Sequence, residues 1–423
     1  MRVWLFQTGE ILPLTGQERP MRSLRLANEL TKQGHEVLWW ASAFDHIRKQ
    51  WLTSTESCIS VNGLKIIPLH GCGYQENLGL RRYVDHLLVA RRFEKLSLTY
   101  DLPDVFVISL PDHLLAYAAA RFAIRHHIPY ILDLRDRWPW DIVNYYPHLL
   151  TRGIIRLALS VDYAKSTYCI RNAASMVTMM KSYLEWAREK GLRLPENRMD
   201  RVFPLGAPAC VVDPAARKSP VLDVIRHFLD NAKLAVIYAG SMGKIYQPIS
   251  LVKIARSFRI TYPGIKFILV GEGEYFSAIK GEAQSLDNIL LTGWMDQLDL
   301  FQVMLLPSCP KIGAITLSKP IRAFPNKAFT YLSAGLPIIS MLDGDIASLI
   351  AVERVGINVA AGDEDRLANV ILDLFHNPSK MNDMALRAKA LFENHFSSEI
   401  IDREYAGHVV DVAQNCMVKK NQI

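Results

Sequence analysis

A glycine-rich turn follows an apolar, β-branched run in the second half of the chain, in the segment YAGSMG (238–243). Gly240 and Gly243 carry no Cβ, so the backbone of such a turn can approach phosphate oxygens closely. Lys244 follows at once and can supply a cation. Because many Gly-x-x-Gly segments are ordinary turns, this one indicates phosphate chemistry only together with other features.

Two segments in the first half offer charged groups at positions where ligands bind. The loop from residue 9 to residue 22 contains Gly16, Arg19 and Arg22, and the fork of an arginine side chain fits phosphate. Arg135 and Asp136 follow the run YILDLR, at the carboxyl end of a predicted parallel strand. These side chains could serve a ligand.

The alternative for the second segment is structural. An ion pair between Arg135 and Asp136, or between Arg137 and Asp133, would fix the loop in place. By the alternation of side chains along a strand, Asp133 points to the face opposite to Leu134.

The composition is that of a folded protein of two or three domains. The chain has 423 residues, of which 50% are hydrophobic and 22% charged. Its six cysteines are scattered without a CxxC pair, which argues against a disulfide framework and a structural zinc site. No run of 18 apolar residues predicts a membrane span, and the segment MRVWLFQTGE indicates a strand and not a signal peptide.

The net charge of +7 is confined to the first half. Residues 1–205 hold 27 Lys and Arg against 20 Asp and Glu, whereas residues 206–423 hold 22 of each. A basic domain beside a neutral one indicates an anionic partner for the first domain: nucleic acid, an acidic leaflet or a phosphorylated lipid. No recognition motif supports nucleic acid, and a solubilising surface is the alternative.

Two stretches, 80–96 and 149–159, are amphipathic and basic. The first has Leu80, Tyr83 and Val84 on one face, and the second has Arg152 and Arg156 four residues apart. Such segments can rest on an anionic leaflet, although core-facing helices with solvated arginines share the pattern.

Apolar runs alternate with helical stretches, which predicts an α/β fold with largely parallel sheets. A helix is predicted at 21–34, and a last helix at 397–414. The strands predicted in the first half are 2–8, 36–42, 64–69, 105–110, 130–135 and 175–180. Those predicted in the second half are 234–240, 266–271, 289–294, 303–307, 336–341 and 356–361.

The segment 201–220 is rich in proline and small residues and is interpreted as the linker between two domains. We therefore expect domains at 1–205 and 206–395, and a terminal segment, 396–423, that packs back toward the first domain. Doubly wound sheets bind ligands at the carboxyl ends of their strands, so we expect the two sets of loops to face each other across a cleft.

Six motifs occur in a fixed order along the chain. They are RPMR (19–22) with GHEV after the first helix, LDLRDRWP (132–139), YAGSMG (238–243), LVGEGEY (269–275), LLTGW (290–294) and FPNKAFTYLSAGLPII (324–339). In these motifs the chain resembles the family 4 retaining glycosyltransferases of the GT-B fold. It is most similar to the branch that adds sugars to lipid-linked O-antigen or capsule intermediates.

The last motif carries the strongest implication of the resemblance. In the family, a Pro-Asn-Lys loop leads into a helix whose start lies against the ribose and diphosphate of the donor. The resemblance therefore implies that Lys327 offsets phosphate charge and that Asn326 holds the loop or a sugar hydroxyl. A surface Asn-Lys turn is the alternative.

The resemblance implies further site residues, with one departure. Relatives carry two glutamates at the positions of Arg322 and Thr330, so the contacts to the transferred sugar and the ribose differ here. Implied catalytic or acceptor groups are Arg135, Asp136 and His113, and the implied ligands of the acceptor's diphosphate are Gly16, Arg19 and Arg22. Implied donor-binding residues are Gly240, Ser241, Gly243, Lys244, Gly271, Glu272, Gly293, Trp294, Met295, Arg322 and Thr330.

The expected activity is transfer of a sugar from a nucleotide diphosphate to a polyprenyl-diphosphate-linked saccharide, with retention and without a metal. Asp343-Gly344-Asp345 is the nearest match to a metal-binding Asp-x-Asp, and a turn is the favoured interpretation. We expect a cytoplasmic protein, peripheral on the inner leaflet of the membrane. The alternatives are a nucleotide-sugar 2-epimerase of the same fold and a non-catalytic sugar-nucleotide-binding partner of another transferase.

Overall fold

A computed structural model gives the fold and describes residues 1–15, 18, 20–77, 79–146, 148–194, 197–211, 219–321 and 323–420. Cα proximity divides the chain into two compact units. Unit 1 comprises Met1–Pro204 and Asp402–Ile423, and unit 2 comprises Leu205–Ile401. The sequence predicts boundaries at 205 and 395, so the second boundary lies six residues later than expected.

Unit 1 contains an eight-stranded sheet in the order β10-β9-β8-β7-β1-β2-β6-β5, parallel except for β5. A separate hairpin is formed by β3 and β4. The strands are β1 (Arg2–Phe6), β2 (Glu36–Ser42), β3 (Phe44–Asp45), β4 (Gln50–Trp51), β5 (Ile59–Val61), β6 (Leu64–Leu69), β7 (Val105–Leu110), β8 (Tyr130–Leu134), β9 (Ser175–Thr178) and β10 (Arg201–Val202). The helices are α1 (Arg22–Lys32), α2 (Leu80–Leu96), α3 (His113–Arg125), α4 (Leu149–Ala158), α5 (Ser160–Asn172) and α6 (Lys181–Glu189).

Aromatic rings fill the core of unit 1. Trp4 stacks on Phe106 with a centroid distance of 5.2 Å, and Phe6 meets Phe93 edge to face at 5.0 Å. These side chains are essentially inaccessible to solvent because helices cover both faces of a parallel sheet. The rigid sheet positions the loops that follow β1, β7 and β8.

Helix α15 (Ser398–Lys420) begins in unit 2 and belongs to unit 1 from Asp402 onward. Its Tyr405 ring stacks on Phe203 at 4.9 Å, and the His408 Nε2 lies 2.8 Å from the Ser175 hydroxyl. The last helix therefore completes the core of unit 1.

Unit 2 contains a six-stranded parallel sheet in the order β13-β12-β11-β14-β15-β16. The strands are β11 (Leu234–Ala239), β12 (Ile265–Val270), β13 (Ile289–Gly293), β14 (Lys311–Ile315), β15 (Ile338–Ser340) and β16 (Gly356–Asn358). The helices are α7 (Pro220–Phe228), α8 (Ile249–Thr261), α9 (Phe276–Ala283), α10 (Gln297–Leu305), α11 (Asn326–Ser333), α12 (Asp345–Glu353), α13 (Glu364–His376) and α14 (Pro378–Leu391). This strand order matches that of dinucleotide-binding sheets. In such sheets successive strands are added first on one side and then on the other, and the switch point here lies between β11 and β14.

These sheets confirm the predicted α/β fold, with one wrong element. The run at 303–307 was predicted as a strand, but it forms the end of α10, and the strand of that region is β14. A short apolar run fits a buried helix as well as a strand, which explains the error.

Among the described residues, no helix combines the length and the apolar character needed to cross a membrane.

Candidate functional site

Three glycine turns of unit 2 lie side by side at the carboxyl ends of β11, β12 and β13. The Gly240 N–H donates to the Val270 carbonyl at 2.9 Å, and the Gly271 N–H donates to the Gly293 carbonyl at 2.7 Å. The Met242 N–H donates to the Glu272 carbonyl at 2.9 Å. The predicted donor-binding glycines Gly240, Gly271 and Gly293 are therefore brought together at one edge of the sheet.

Two of these glycines have a backbone conformation and surroundings that disfavour a side chain. Gly271 has φ of +129°, and a Cβ there would lie 2.0 Å from the Gly240 carbonyl oxygen. Gly240 has φ of +145°, and its Cβ would lie 2.8 Å from the Lys327 Nζ. A side chain at Gly271 would clash with the backbone of the Gly240 turn, and one at Gly240 would displace the end of the Lys327 side chain. Both would also be strained at these positive φ values.

Helix α11 places Lys327 beside this edge. Its Tyr331 hydroxyl accepts from the Ala239 N–H at 2.8 Å and donates to the Ala314 carbonyl at 3.2 Å. These bonds fix the helix against both strands of the switch point, β11 and β14. The start of α11 therefore lies next to the Gly240 turn.

The ammonium group of Lys327 is buried without a hydrogen-bond acceptor among the described residues. Its Nζ lies 4.3 Å from the ring centroids of both Tyr238 and Tyr246. Burial lowers the pKa of Lys327 to about 7. Two aromatic faces alone stabilise the cation incompletely. An anion bound here would therefore offset the free energy that burial of the uncompensated charge costs.

The other predicted residues of α11 differ in exposure. Asn326 is exposed at the first position of the helix, where its backbone N–H precedes the helical hydrogen-bond ladder. Thr330 is buried, and its hydroxyl donates to the Asn326 carbonyl at 3.2 Å, within the helix. The predicted contact of Thr330 to a ribose hydroxyl does not fit this arrangement. Arg322 lies outside the described residues.

The segment after β13 contains an exposed tryptophan. Trp294 is 72% exposed. The Trp294 backbone N–H donates to the Glu272 carboxylate at 3.3 Å, which joins the β12 and β13 turns. Met295 packs partly against the core of unit 2. An exposed indole at the carboxyl ends of the strands suits a planar base.

The turn after Gly240 continues into an exposed segment. Ser241 and Lys244 are exposed, and the Ser241 carbonyl accepts from the Tyr238 hydroxyl at 2.6 Å. A Cβ on Gly243 would meet nothing within 4 Å. Lys244 is therefore available as a second cation near the turn.

In the part of the chain that the structure describes, two of the predicted arginines of unit 1 are paired with carboxylates, unlike Lys327. Arg135 binds the Glu10 carboxylate, the Asp133 carboxylate at 3.0 Å and the Ser23 hydroxyl at 2.8 Å. Arg22 binds the same Asp133 at 3.0 Å. Although burial raises the pKa of Asp133, the two arginines outweigh it and lower the pKa below its usual range.

The structural alternative for these groups is wrong in its pairing, and Arg22 is less accessible than its predicted role requires. The loop is not fixed by an Arg135–Asp136 or Arg137–Asp133 pair, since Arg135 pairs with Asp133 and Arg137 pairs with Asp141 at 3.1 Å. Arg22 is only 4% exposed, so it does not fit the predicted role as a ligand of the acceptor's diphosphate.

Arg22 has two further contacts within unit 1. It also donates to the Phe203 carbonyl at 2.8 Å and lies 4.9 Å from the Tyr405 ring centroid. Gly16 and Arg19, predicted beside it, lie outside the described residues.

His113 is also buried. Its Nε2 lies 3.0 Å from the Asp162 carboxylate, which accepts from the Tyr83 hydroxyl at 3.1 Å. The predicted role of a reacting histidine does not fit a side chain that is 5% exposed and held between α2, α3 and α5. The contacts of His113 join these three helices.

A cavity of about 420 Å³ opens at the switch point of unit 1, between β1 and β7, and is lined by residues that the sequence reasoning missed. Thr8 donates to the Asp112 carboxylate at 3.0 Å, and the His86 Nδ1 lies 3.3 Å from the same group. Although burial raises the pKa of Asp112, His86 and the Leu115 N–H outweigh it and lower the pKa to about 2. Asp112 follows β7 and could have been found from its place after a strand, whereas His86 lies inside α2 without such a signal.

Of the predicted residues, Arg135 and Asp136 line this cavity. Asp136 stands where solvent reaches the residue, yet burial of its carboxylate and the nearby Asp141 raise its pKa. A carboxyl group of raised pKa beside an open cavity can exchange a proton with a bound hydroxyl.

Within the described ranges, no group of three or more His, Cys, Asp or Glu side chains is placed to hold a metal ion.

Part of the chain matches a known protein family. Residues 233–377 match the family described as glycosyl transferases group 1. That range contains the glycine turns and Lys327. No curated protein matches the chain.

Solved structures resemble the whole chain at low sequence identity. Sucrose-phosphate synthase from Thermosynechococcus elongatus is 14% identical with a TM-score of 0.67, over 96% of this chain and 97% of that one. HepE from Anabaena, in complex with UDP-glucose, is 15% identical with a TM-score of 0.59 over 100% of both chains. WaaG, a glycosyltransferase involved in lipopolysaccharide biosynthesis, is 12% identical with a TM-score of 0.62, over 96% of this chain and 99% of that one.

These likenesses confirm the GT-B fold, and the family match supports a GT-B glycosyltransferase.

Proposed function

We propose that this chain transfers a sugar from a nucleotide diphosphate to a polyprenyl-diphosphate-linked saccharide, with retention, in the biosynthesis of surface polysaccharide. One observation carries the proposal: the buried Lys327 ammonium lacks an acceptor and lies beside the Gly240 turn at the switch point of unit 2. A diphosphate supplies the missing counter-charge, and the base and sugar extend from it on either side.

The reaction requires stabilisation of the leaving diphosphate while positive charge develops on the sugar ring. Lys327, the exposed Lys244 and the N–H groups at the start of α11 supply this stabilisation electrostatically. Because these groups can neutralise the diphosphate without a cation from solution, the proposed transfer is metal-independent. Product formation that vanished with EDTA would contradict this part.

The acceptor belongs to unit 1 in this proposal. The cavity between β1 and β7 supplies Asp136, whose raised pKa suits transient protonation. HepE is named in complex with UDP-glucose, so UDP-glucose is the first donor to test.

Helix α4 supports a place at a membrane surface. It has no buried residue, and Leu149, Leu150 and Leu157 are 82%, 80% and 77% exposed. Arg152 and Arg156 on the same helix would meet anionic headgroups. We place the protein in the cytoplasm, peripheral on the inner leaflet. Co-sedimentation with vesicles containing anionic lipid, lost in a Leu150→Glu, Leu157→Glu variant, is the expected result; equal binding by the variant would contradict this part.

The deciding experiment is incubation with UDP- and GDP-sugars and a lipid-linked saccharide acceptor, followed by mass spectrometry. Free nucleotide with an extended acceptor of retained configuration supports the proposal. An epimerised sugar would indicate a 2-epimerase. Binding without turnover would indicate a non-catalytic partner, which the absence of a carboxylate at Thr330 favours as the second candidate.

A further inference from the structure

A second cavity of unit 1, of about 670 Å³, lies between the β3–β4 hairpin and the start of α2. The hairpin extends outside the main sheet, since β3 pairs with β4 alone. Tyr74 and Arg82 line both this cavity and the one at the switch point. A ligand in the second cavity would therefore adjoin the first.

Aromatic rings form the apolar part of the lining. The Phe44 ring lies 5.3 Å from Trp51 and 5.0 Å from Tyr74, measured between centroids. His70 stacks on Trp51 at 5.4 Å, yet Trp51 remains 46% exposed. Fixed and exposed aromatic faces are suited to the C–H faces of a sugar ring, because both surfaces are apolar and flat.

Two cations complete the lining. The Lys49 Nζ and the Arg82 guanidinium carbon lie 4.7 Å and 5.6 Å from the Tyr74 ring centroid. Both side chains donate to Asn77, at 2.5 Å and 2.6 Å. Among the described residues neither cation forms an ion pair.

The carboxylates near these cations have other partners. Asp85 accepts from the Cys72 and Gly73 N–H groups, both at 2.7 Å. Asp45 accepts from the Ile47 N–H at 2.7 Å. Glu76 lies in the lining but is exposed. Burial and the neighbouring Arg82 lower the pKa of Lys49, and the Asp45 carboxylate offsets this only in part.

We propose that this cavity is a subsite for an anionic sugar, which stacks on Trp51 and places a carboxylate or phosphate against Lys49 and Arg82. This inference deepens the proposed function and rests on it, because it identifies the acceptor as an acidic or phosphorylated saccharide. The acceptor's anionic unit occupies the second cavity, and its neighbouring unit extends past Tyr74 toward Asp136.

Ligand NMR on the full chain tests the subsite with three matched probes: methyl β-D-glucuronide, glucose 1-phosphate and neutral methyl β-D-glucoside. We expect the wild type to bind one or both anionic probes at least tenfold more tightly than the neutral probe. Preference for the glucuronide indicates an acidic sugar, and preference for glucose 1-phosphate indicates a phosphorylated one.

Variants separate the two parts of the subsite. Lys49→Gln should remove most of the anionic preference and leave the neutral probe unchanged, whereas Trp51→Ala should weaken all three probes. Lys32→Gln, an exposed lysine elsewhere in unit 1, is the matched control and should match the wild type.

Equal binding of charged and neutral probes, or an unchanged preference in Lys49→Gln, would overturn the inference. UDP binding is measured in parallel on each variant. If the wild type binds UDP but shows no preference for the anionic probes, the subsite alone is rejected. If the wild type does not bind UDP, the proposed function is rejected.

Discussion

Both units bury cations near the switch point of a parallel sheet, but they surround them differently. In unit 1, Arg22 and Arg135 share the Asp133 carboxylate, and Arg135 also reaches Glu10. In unit 2, Lys327 faces two tyrosine rings and no described acceptor. A compensated cluster holds a loop in place, whereas an uncompensated cation is prepared for a ligand that arrives from solution.

The largest effect should come from breaking the compensated cluster. Asp133→Asn leaves two buried guanidinium groups without their shared counter-charge, so we expect a loss of about 3–5 kcal/mol of unfolding free energy. Chemical denaturation measures this loss. The matched control is Asp141→Asn, whose pair with Arg137 is partly exposed and should contribute less than about 1 kcal/mol. Equal effects of the two substitutions would show that burial does not distinguish the pairs.

Removing the uncompensated cation should have the opposite effect on stability. Lys327→Met eliminates a buried ammonium group and should raise the unfolding free energy of the ligand-free protein by on the order of 3 kcal/mol at neutral pH. The same change should weaken UDP binding about 100-fold, through loss of about 2–3 kcal/mol of charged hydrogen bonds.

Thermal shift and calorimetry measure these two effects of Lys327→Met. Lys233→Met, an exposed lysine before β11, is the control and should change neither quantity. A destabilised variant that still binds UDP would remove the basis of the proposed donor site.

A smaller effect concerns pH. The pKa of Lys327 is about 7 in the ligand-free protein, so the group is protonated below pH 7 and increasingly neutral above it. Since a diphosphate binds the charged form, UDP affinity should fall by up to about tenfold per pH unit as pH rises above about 7. In Lys327→Arg the guanidinium stays charged, and the decline should be absent. A decline of the same size in both proteins would assign it to another group.

The smallest expected effect separates a structural hydroxyl from a ligand. The Thr330 hydroxyl donates within α11, so Thr330→Val should cost less than about 1 kcal/mol of stability. UDP affinity should change by no more than about twofold. A tenfold loss of affinity with unchanged stability would return Thr330 to the ribose contact expected from the resemblance.

Much of the fold follows from local pattern. The predicted strands at 36–42, 64–69 and 105–110 coincide with β2, β6 and β7, because buried parallel strands are continuous apolar runs between turn residues. Strand β14 was missed because Lys311 and Gly313 interrupt its apolar character. The nearby run at 303–307 is more apolar and predicts a strand in its place.

The sequence predicted only those parts of the candidate site that depend on backbone conformation. The glycine turns and the lysine at a helix start could be identified from sequence, since they depend on the missing Cβ and on position in an element. The buried contacts of Arg22 and His113 could not be predicted, because their partners, Asp133 and Asp162, are distant in sequence and are brought near only by folding.

Helix α15 has a consequence for how the chain is made. Its Tyr405 covers the Arg22 guanidinium, and its His408 meets Ser175. The ribosome synthesises all of residues 205–401 before it reaches these side chains. The core of a nascent unit 1 therefore stays incomplete until α15 has been made. Residues 1–204 expressed alone would therefore lack the helix that completes the core of unit 1.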